Sequence, residues 1–261
     1  MRTSAVTMPF FALLAGAAGF YLRLTELWNV FDERTGLPRR GAGVTSALIA
    51  LSAAFLLIII LFSLRAGLRY SSPGGFENAF GAEALSYPFV FFIIGLVWLG
   101  ATIMHLVELN ADGAIPASEL VFSILSALAA ISTSLFAIEI YQDPRRKAKQ
   151  ALSIVPTIFM CYWLILLYRN NASNPILLSY CYQCLAIIAS AVAFYFTSGY
   201  AFNKPALIKT IFSYFAAIYF SFVTLADAHP PGIKLIFISI IAVNVIYSSM
   251  LIRNIQRKVQ A

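Results

Sequence analysis

Residues 26–40, ELWNVFDERTGLPRR, form the one polar, turn-rich passage in the first quarter of a chain that is otherwise almost continuously apolar. An apolar run precedes this passage and another follows it, which predicts a loop at a membrane surface. The surface on which it lies determines the sidedness of every later segment. We also expect its TGLP turn (residues 35–38) to form a structured cap over neighbouring helix ends.

The composition points to the same class of protein. Of the 261 residues, 61% are hydrophobic and 11% are charged, against roughly 25% charged in a soluble domain. Too few polar residues are present to cover a water-exposed surface, so a soluble fold is excluded. The net charge of +7 comes from short basic clusters between apolar runs. That pattern predicts contact with the anionic lipids of a bilayer and not with nucleic acid.

Hydrophobic run length predicts an all-α polytopic integral membrane protein, a single transmembrane domain over residues 1–261. A helix needs about 20 residues to cross the hydrocarbon core. Eight runs are of that order, separated by Gly, Pro, Asn or charged residues. Their predicted bounds are about 5–28, 42–64, 87–110, 117–141, 151–169, 176–200, 207–225 and 233–252.

The distribution of Lys and Arg predicts the orientation. Eight spans place both termini on one side, and twelve of the eighteen cations fall on that side, leaving six on the other. The positive-inside rule therefore predicts that the N- and C-termini are cytoplasmic. The loop at 26–40, with its three arginines, is then external and is the one local exception.

Both histidines of the chain lie at predicted outer ends of spans, beside carboxylates. His105 and Glu108 are three residues apart near the end of the third span and so share a helix face, while Asp227 and His229 follow the seventh. If these ends meet, the four side chains are a candidate site for Zn²⁺, which lowers the pKa of a bound water and activates it for hydrolysis. An outer-leaflet metal-dependent intramembrane hydrolase is therefore one functional hypothesis. Interfacial polar side chains with a structural role are the other interpretation.

Four further residues are candidates for binding a ligand. Glu26 and Asp32 lie at the outer end of the first span, and Gln183 and Asn244 are amides inside spans. Hydrogen bonding between helices explains the amides equally well, and a polar pocket is the functional alternative.

Common enzyme signatures are missing from the sequence, including GxSxG, HExxH and a Walker loop. We therefore expect a non-enzymatic membrane protein without a cofactor. It would act as a small-molecule transporter or sensor, or as a membrane subunit of a larger assembly with a protein partner.

Two passages, FDERTGLP (31–38) and RNNASNP (169–175) leading to Tyr180, resemble a group of uncharacterised multi-pass membrane proteins of anaerobic Gram-positive bacteria. The resemblance implies a bacterial cytoplasmic membrane and brings no activity with it.

Overall fold

A computed structural model describes most of the chain, namely residues 4–31, 43–81, 86–111, 113, 115–142, 149–173 and 176–257. The TGLP turn and Asp32 lie outside these described residues. Nine α-helices are formed within them: α1 (Ser4–Asn29), α2 (Gly43–Arg69), α3 (Gly75–Phe80), α4 (Ser86–Ala111), α5 (Ala117–Gln142), α6 (Lys149–Asn170), α7 (Cys181–Ala201), α8 (Leu207–Thr224) and α9 (Pro231–Asn254).

All of these helices except α3 are long and apolar enough to cross a membrane, which confirms the predicted count of eight. The chain is thus an all-α protein with the segments of a multi-pass membrane protein. Because the number of long helices is even, the start of α1 and the end of α9 lie at one end of the bundle. We call this end the termini end. The opposite end, which carries the α1–α2, α4–α5, α6–α7 and α8–α9 connections, is called the site end.

Two elements differ from the predicted pattern. The passage between the second and third spans, predicted as a loop, contains the short helix α3, whose Phe76 and Phe80 pack against Tyr247 of α9. The sixth span was predicted to begin at 176, but α7 begins at Cys181 after a single 3₁₀ turn, Leu177–Ser179. The carbonyl groups of Leu178 and Ser179 are directed instead to the side chain of Arg23.

Helix α8 is the centre of the bundle. It packs against α1, α2, α7 and α9, while α4, α5, α6 and α7 complete a closed ring with α8 and α9. Among the eight long helices, α8 is the most buried, with 78% of its apolar window inside the protein. Two short strands, β1 (Tyr70–Ser71) and β2 (Gln256–Arg257), pair antiparallel and join the end of α2 to the end of α9.

Small side chains allow α1 to approach α8 closely. The buried residues of α1 recur every three or four positions, which places them in one stripe along the helix. They are Ala5, Pro9, Ala12, Gly16, Gly19, Arg23 and Glu26. A Cβ atom added at Gly16 would lie 2.7 Å from Cβ of Phe222 in α8. The stripe ends in two charged residues, so the contact that buries α1 also buries Arg23 and Glu26.

Hydroxyl groups make hydrogen bonds between helices inside the bundle. Tyr214 of α8 bonds Thr197 of α7 at 2.6 Å, and the indole N–H of Trp98 in α4 donates to Ser126 of α5 at 3.0 Å. Such bonds satisfy polar groups that have no access to water.

The close contact at Gly16 predicts that an added methyl group destabilises the protein there, but not at a glycine that has no atom near its Cβ position. Gly16→Ala should lower the thermal unfolding midpoint in detergent, because overpacking a close helix contact costs about 1–3 kcal/mol. Gly100→Ala is the matched control, since an added Cβ at Gly100 of α4 has no atom within 4 Å. Both changes gain helix propensity, so the difference between the two midpoints isolates the contact. Equal midpoints would mean that α1 and α8 do not meet closely at Gly16.

Candidate functional site: a buried ion cluster beside an apolar groove

Arg23 is the centre of a buried ion cluster at the site end. Its Nε donates to Oδ1 of Asp227 at 2.8 Å, and its Nη1 donates to Oε2 of Glu26 at 2.7 Å. Its Nη2 donates to the carbonyl oxygens of Leu178 and Ser179 at 3.1 and 3.3 Å. All three guanidinium nitrogens are therefore used, and one side chain joins α1 to the α6–α7 and α8–α9 connections.

Aromatic rings cover the guanidinium. The Arg23 Cζ lies 5.1 Å from the ring centroid of Tyr182 and 6.0 Å from that of Phe31, within the range of a cation–π interaction. The side chains of Arg23 and Glu26 are fully buried. The cluster is therefore shielded from water, which strengthens its electrostatic interactions and makes any unpaired charge costly.

Asp227 receives a second set of contacts from its own connection. The Thr224 hydroxyl donates to Oδ2 of Asp227 at 2.9 Å and lies 3.2 Å from Nε2 of His229. Burial lowers the pKa of His229 below its ordinary value of 6.5; Asp227 opposes this shift, and Lys234 and Arg23 add to it. Burial therefore favours the neutral form of His229.

The formal charges of the cluster do not cancel. One guanidinium faces two carboxylates, Glu26 and Asp227. Oε1 of Glu26 is buried and has no hydrogen-bond partner within the described part of the chain. The cluster therefore has an unused acceptor and a formal charge of −1, and every nitrogen of its one cation already donates to an acceptor.

A second polar group lies at the same end, between α4, α5 and α9. Nε2 of His105 lies 3.4 Å from Oε2 of Glu119. The Glu108 carboxylate accepts the backbone N–H of Gly232 at 3.3 Å, where the first turn of α9 favours negative charge. A Cβ at Gly232 would lie 2.7 Å from the backbone nitrogen of His105. The last turns of α4 therefore meet the first turn of α9, next to the α8–α9 connection, as the metal hypothesis requires.

The four residues predicted to bind a metal are nevertheless divided between the two polar groups. His105 pairs with Glu119, which was not among them, and Glu108 binds backbone, whereas Asp227 belongs to the Arg23 cluster with His229 beside it. No three His, Cys, Asp or Glu side chains come together as a metal site within the described ranges. The Zn²⁺ hypothesis stays a prediction, and a metal assay of the purified protein would decide it.

The residues predicted to bind a ligand have different environments. Glu26 lies in the ion cluster. Asn244 is fully buried, and its amide donates to the Ile240 carbonyl of its own helix at 2.8 Å, while its Oδ1 has no partner within the described chain. Gln183 is half-buried on α7. Asp32 lies outside the described residues.

Arg23 is the functional candidate that sequence reasoning missed. It stands three residues before Glu26, on the same helix face. A signal for its role was present, because an ionisable residue at the end of an apolar run is costly unless it is paired. Its partner Asp227 is 204 positions away, too far for any local pattern.

An apolar groove of about 540 Å³ adjoins the cluster between α2, α7 and α8. Its walls include Leu56, Leu185, Ile188, Val192, Ala216 and Phe220. Leu178 and Tyr182 line the groove next to the ion cluster. Both also contact Arg23, Leu178 through its carbonyl and Tyr182 through its ring. The groove and the ion cluster therefore share two residues.

Comparisons of the chain with protein-family models, with curated proteins and with solved structures give no match.

Removing the cation from the cluster should be more damaging than neutralising all three charges. Arg23→Gln leaves two buried carboxylates without compensation and should destabilise the protein by about 3–5 kcal/mol. Adding Glu26→Gln and Asp227→Asn removes the uncompensated charges and should restore much of the loss. The unfolding midpoint in detergent measures both effects. A triple variant no more stable than Arg23→Gln would contradict the electrostatic explanation.

Proposed function

We propose that this protein is a non-enzymatic multi-pass protein of the cell membrane that binds an apolar small molecule taken from the bilayer, as a sensor or carrier. The observation that carries the proposal is the groove between α2, α7 and α8. At about 540 Å³, it falls within the roughly 300–1,000 Å³ of small-molecule sites.

The chemistry of the groove favours a hydrocarbon chain as its occupant. Its lining is almost entirely aliphatic and aromatic, and neither Gln183 nor Asn244 is part of it. A polar solute would lose its hydration there without receiving hydrogen bonds in return. Since the groove lies between helices long enough to cross a membrane, its occupant would enter sideways from the lipid.

The shared residues suggest how occupancy would be sensed. Tyr182 and Leu178 line the groove and also contact Arg23. A ligand that displaced the Tyr182 ring would uncover the guanidinium. The change would reach α1 through Glu26 and the α8–α9 connection through Asp227. This direct series of contacts from the groove to Arg23 and its two carboxylates favours a sensor. A carrier would use the same groove.

Charge supports a cytoplasmic termini end. The described residues at that end include seven cations and two carboxylates: Arg65, Arg69, Lys149, Lys204, Lys209, Arg253, Arg257, Glu77 and Glu139. The described residues of the site end have four carboxylates and three cations: Glu26, Glu108, Glu119, Asp227, Arg23, Arg169 and Lys234. The positive-inside rule then favours cytoplasmic termini. The resemblance of residues 31–38 and 169–175 points to a bacterial cytoplasmic membrane.

This orientation predicts different labelling of two introduced thiols. Ser173→Cys lies in the α6–α7 connection at the site end, and Ser71→Cys lies in β1 at the termini end. A membrane-impermeant maleimide added to intact cells should label the first and not the second. The unmodified chain measures the background from its own three cysteines. The reverse pattern would overturn the orientation.

Groove binding predicts a specific photolabelling pattern. Full-length protein in liposomes would be irradiated with a phosphatidylcholine that has a diazirine on one acyl chain. Labels should appear on Leu185 and Ile188 of α7. Ala53→Phe should remove most of them, because the aromatic ring fills the groove that Ala53 lines.

The control is the next residue on the same helix. Ala54 is also exposed but does not line the groove, so Ala54→Phe should leave the α7 labels unchanged. Leu96, exposed on α4, reports labelling by bulk lipid and should not vary. If α7 is labelled as strongly in Ala53→Phe as in Ala54→Phe, the groove does not bind a hydrocarbon chain.

A further inference from the structure

A second cavity opens at the termini end, on the border between α2 and α8. It has a volume of about 440 Å³, and its walls include Gly67, Tyr70, Ser72, Leu207 and Lys209. This cavity differs from the groove in composition, because a lysine is among its lining residues. It also lies at the end of the bundle where the described cations outnumber the carboxylates.

Lys209 lines this cavity and lies on the same face of α8 as Phe212 and Ala216, which line the apolar groove. Its Nζ is 5.9 Å from the ring centroid of Phe196 in α7. Phe196 is one helical turn beyond Val192, and Lys209 is about one turn before Phe212; both Val192 and Phe212 line the groove. The ammonium group is therefore placed where the groove approaches the termini end.

The ammonium group of Lys209 is available to a ligand. The side chain is exposed, and no carboxylate of the described chain lies within ion-pair distance of it. Arg23, at the opposite end of the groove, is fully buried, and each of its nitrogens already has an acceptor. An anionic group could therefore be bound at Lys209 but not at Arg23.

We infer that the ligand is an anionic lipid whose phosphate binds at Lys209 in this second cavity and whose hydrocarbon chain lies in the groove toward Tyr182. This inference rests on the proposed function, since it assigns a head group to the chain-binding groove. Basic pockets between membrane helices on the cytoplasmic side bind anionic head groups in this way. The exposed amine pairs with the phosphate, and the apolar walls enclose the chain.

Native mass spectrometry of the full-length protein in detergent tests the inference. Phosphatidylglycerol and phosphatidylcholine with identical acyl chains would be added together, and the ratio of the two bound lipids measured. The unmodified protein should prefer phosphatidylglycerol. Lys209→Gln should weaken phosphatidylglycerol binding about fivefold, since one cation near a membrane surface contributes about 1 kcal/mol. Phosphatidylcholine binding should not change.

Two variants and one competitor make the result specific. Lys209→Arg should keep the preference, because it keeps the charge. Arg253→Gln removes a cation from the same end on α9 and should leave the preference intact. Inorganic phosphate at the lipid concentration should not compete, because it lacks the chain.

The outcomes separate the head-group inference from the groove. If Lys209→Gln binds phosphatidylglycerol as well as the unmodified protein does, the assignment of the phosphate to Lys209 is wrong. The same holds if Arg253→Gln weakens phosphatidylglycerol binding as much as Lys209→Gln does. Competition by inorganic phosphate would likewise overturn a lipid ligand. If Ala53→Phe binds both lipids normally, the groove itself, and with it the proposed function, is wrong.

Discussion

The guanidinium of Arg23 is a full charge in a place without water, and the surrounding chain is arranged to satisfy it. Two carboxylates and two backbone carbonyls accept from its three nitrogens, and the rings of Tyr182 and Phe31 cover its face. Removing a charge from water costs several kcal/mol per ion, so such a group is stable only when its contacts are nearly complete. This requirement joins α1, the turn before α7 and the connection before α9, which are far apart in the chain. The late start of α7 agrees with it, because two carbonyls that an earlier helix would use are committed to Arg23.

The two ends of the groove differ in how their charges are satisfied. At the site end every nitrogen of Arg23 has an acceptor, and Oε1 of Glu26 is a buried acceptor without a donor in the described part of the chain. At the termini end Lys209 is exposed and has no described carboxylate near it. An amphiphile in the groove would therefore lie with its anionic head at the termini end and its chain toward the cluster. The end that would bind the head differs from the end that would respond to occupancy, and Tyr182 is the residue through which the chain would be sensed.

Most of the fold was predictable because it follows from local composition. A run of about 20 apolar residues has few alternatives to a helix when no water can satisfy its backbone, so the eight long helices and most of their bounds agree with the prediction. The differences arise where tertiary contacts act. Helix α3 forms in a turn-rich passage because its phenylalanines pack against Tyr247. The candidate site was predictable in part. Glu26 and Asp227 were both predicted as site residues, and both contact Arg23 in one cluster. His105 was predicted to act with Glu108, but its ring nitrogen lies beside Glu119.

The sequence by itself determined the class of the protein, the number of long helices and the unequal distribution of cations between the two ends, because each depends on residue type and spacing along the chain. Only the tertiary structure decided that Arg23 meets Asp227 across 204 positions, that α8 occupies the centre, and that an apolar groove opens between α2, α7 and α8. Local periodicity identifies the residues on one helix face within three or four positions. Which face meets which neighbour depends on the packing of all the helices together, and small residues such as Gly16 take effect only when an opposing side chain such as Phe222 is in place.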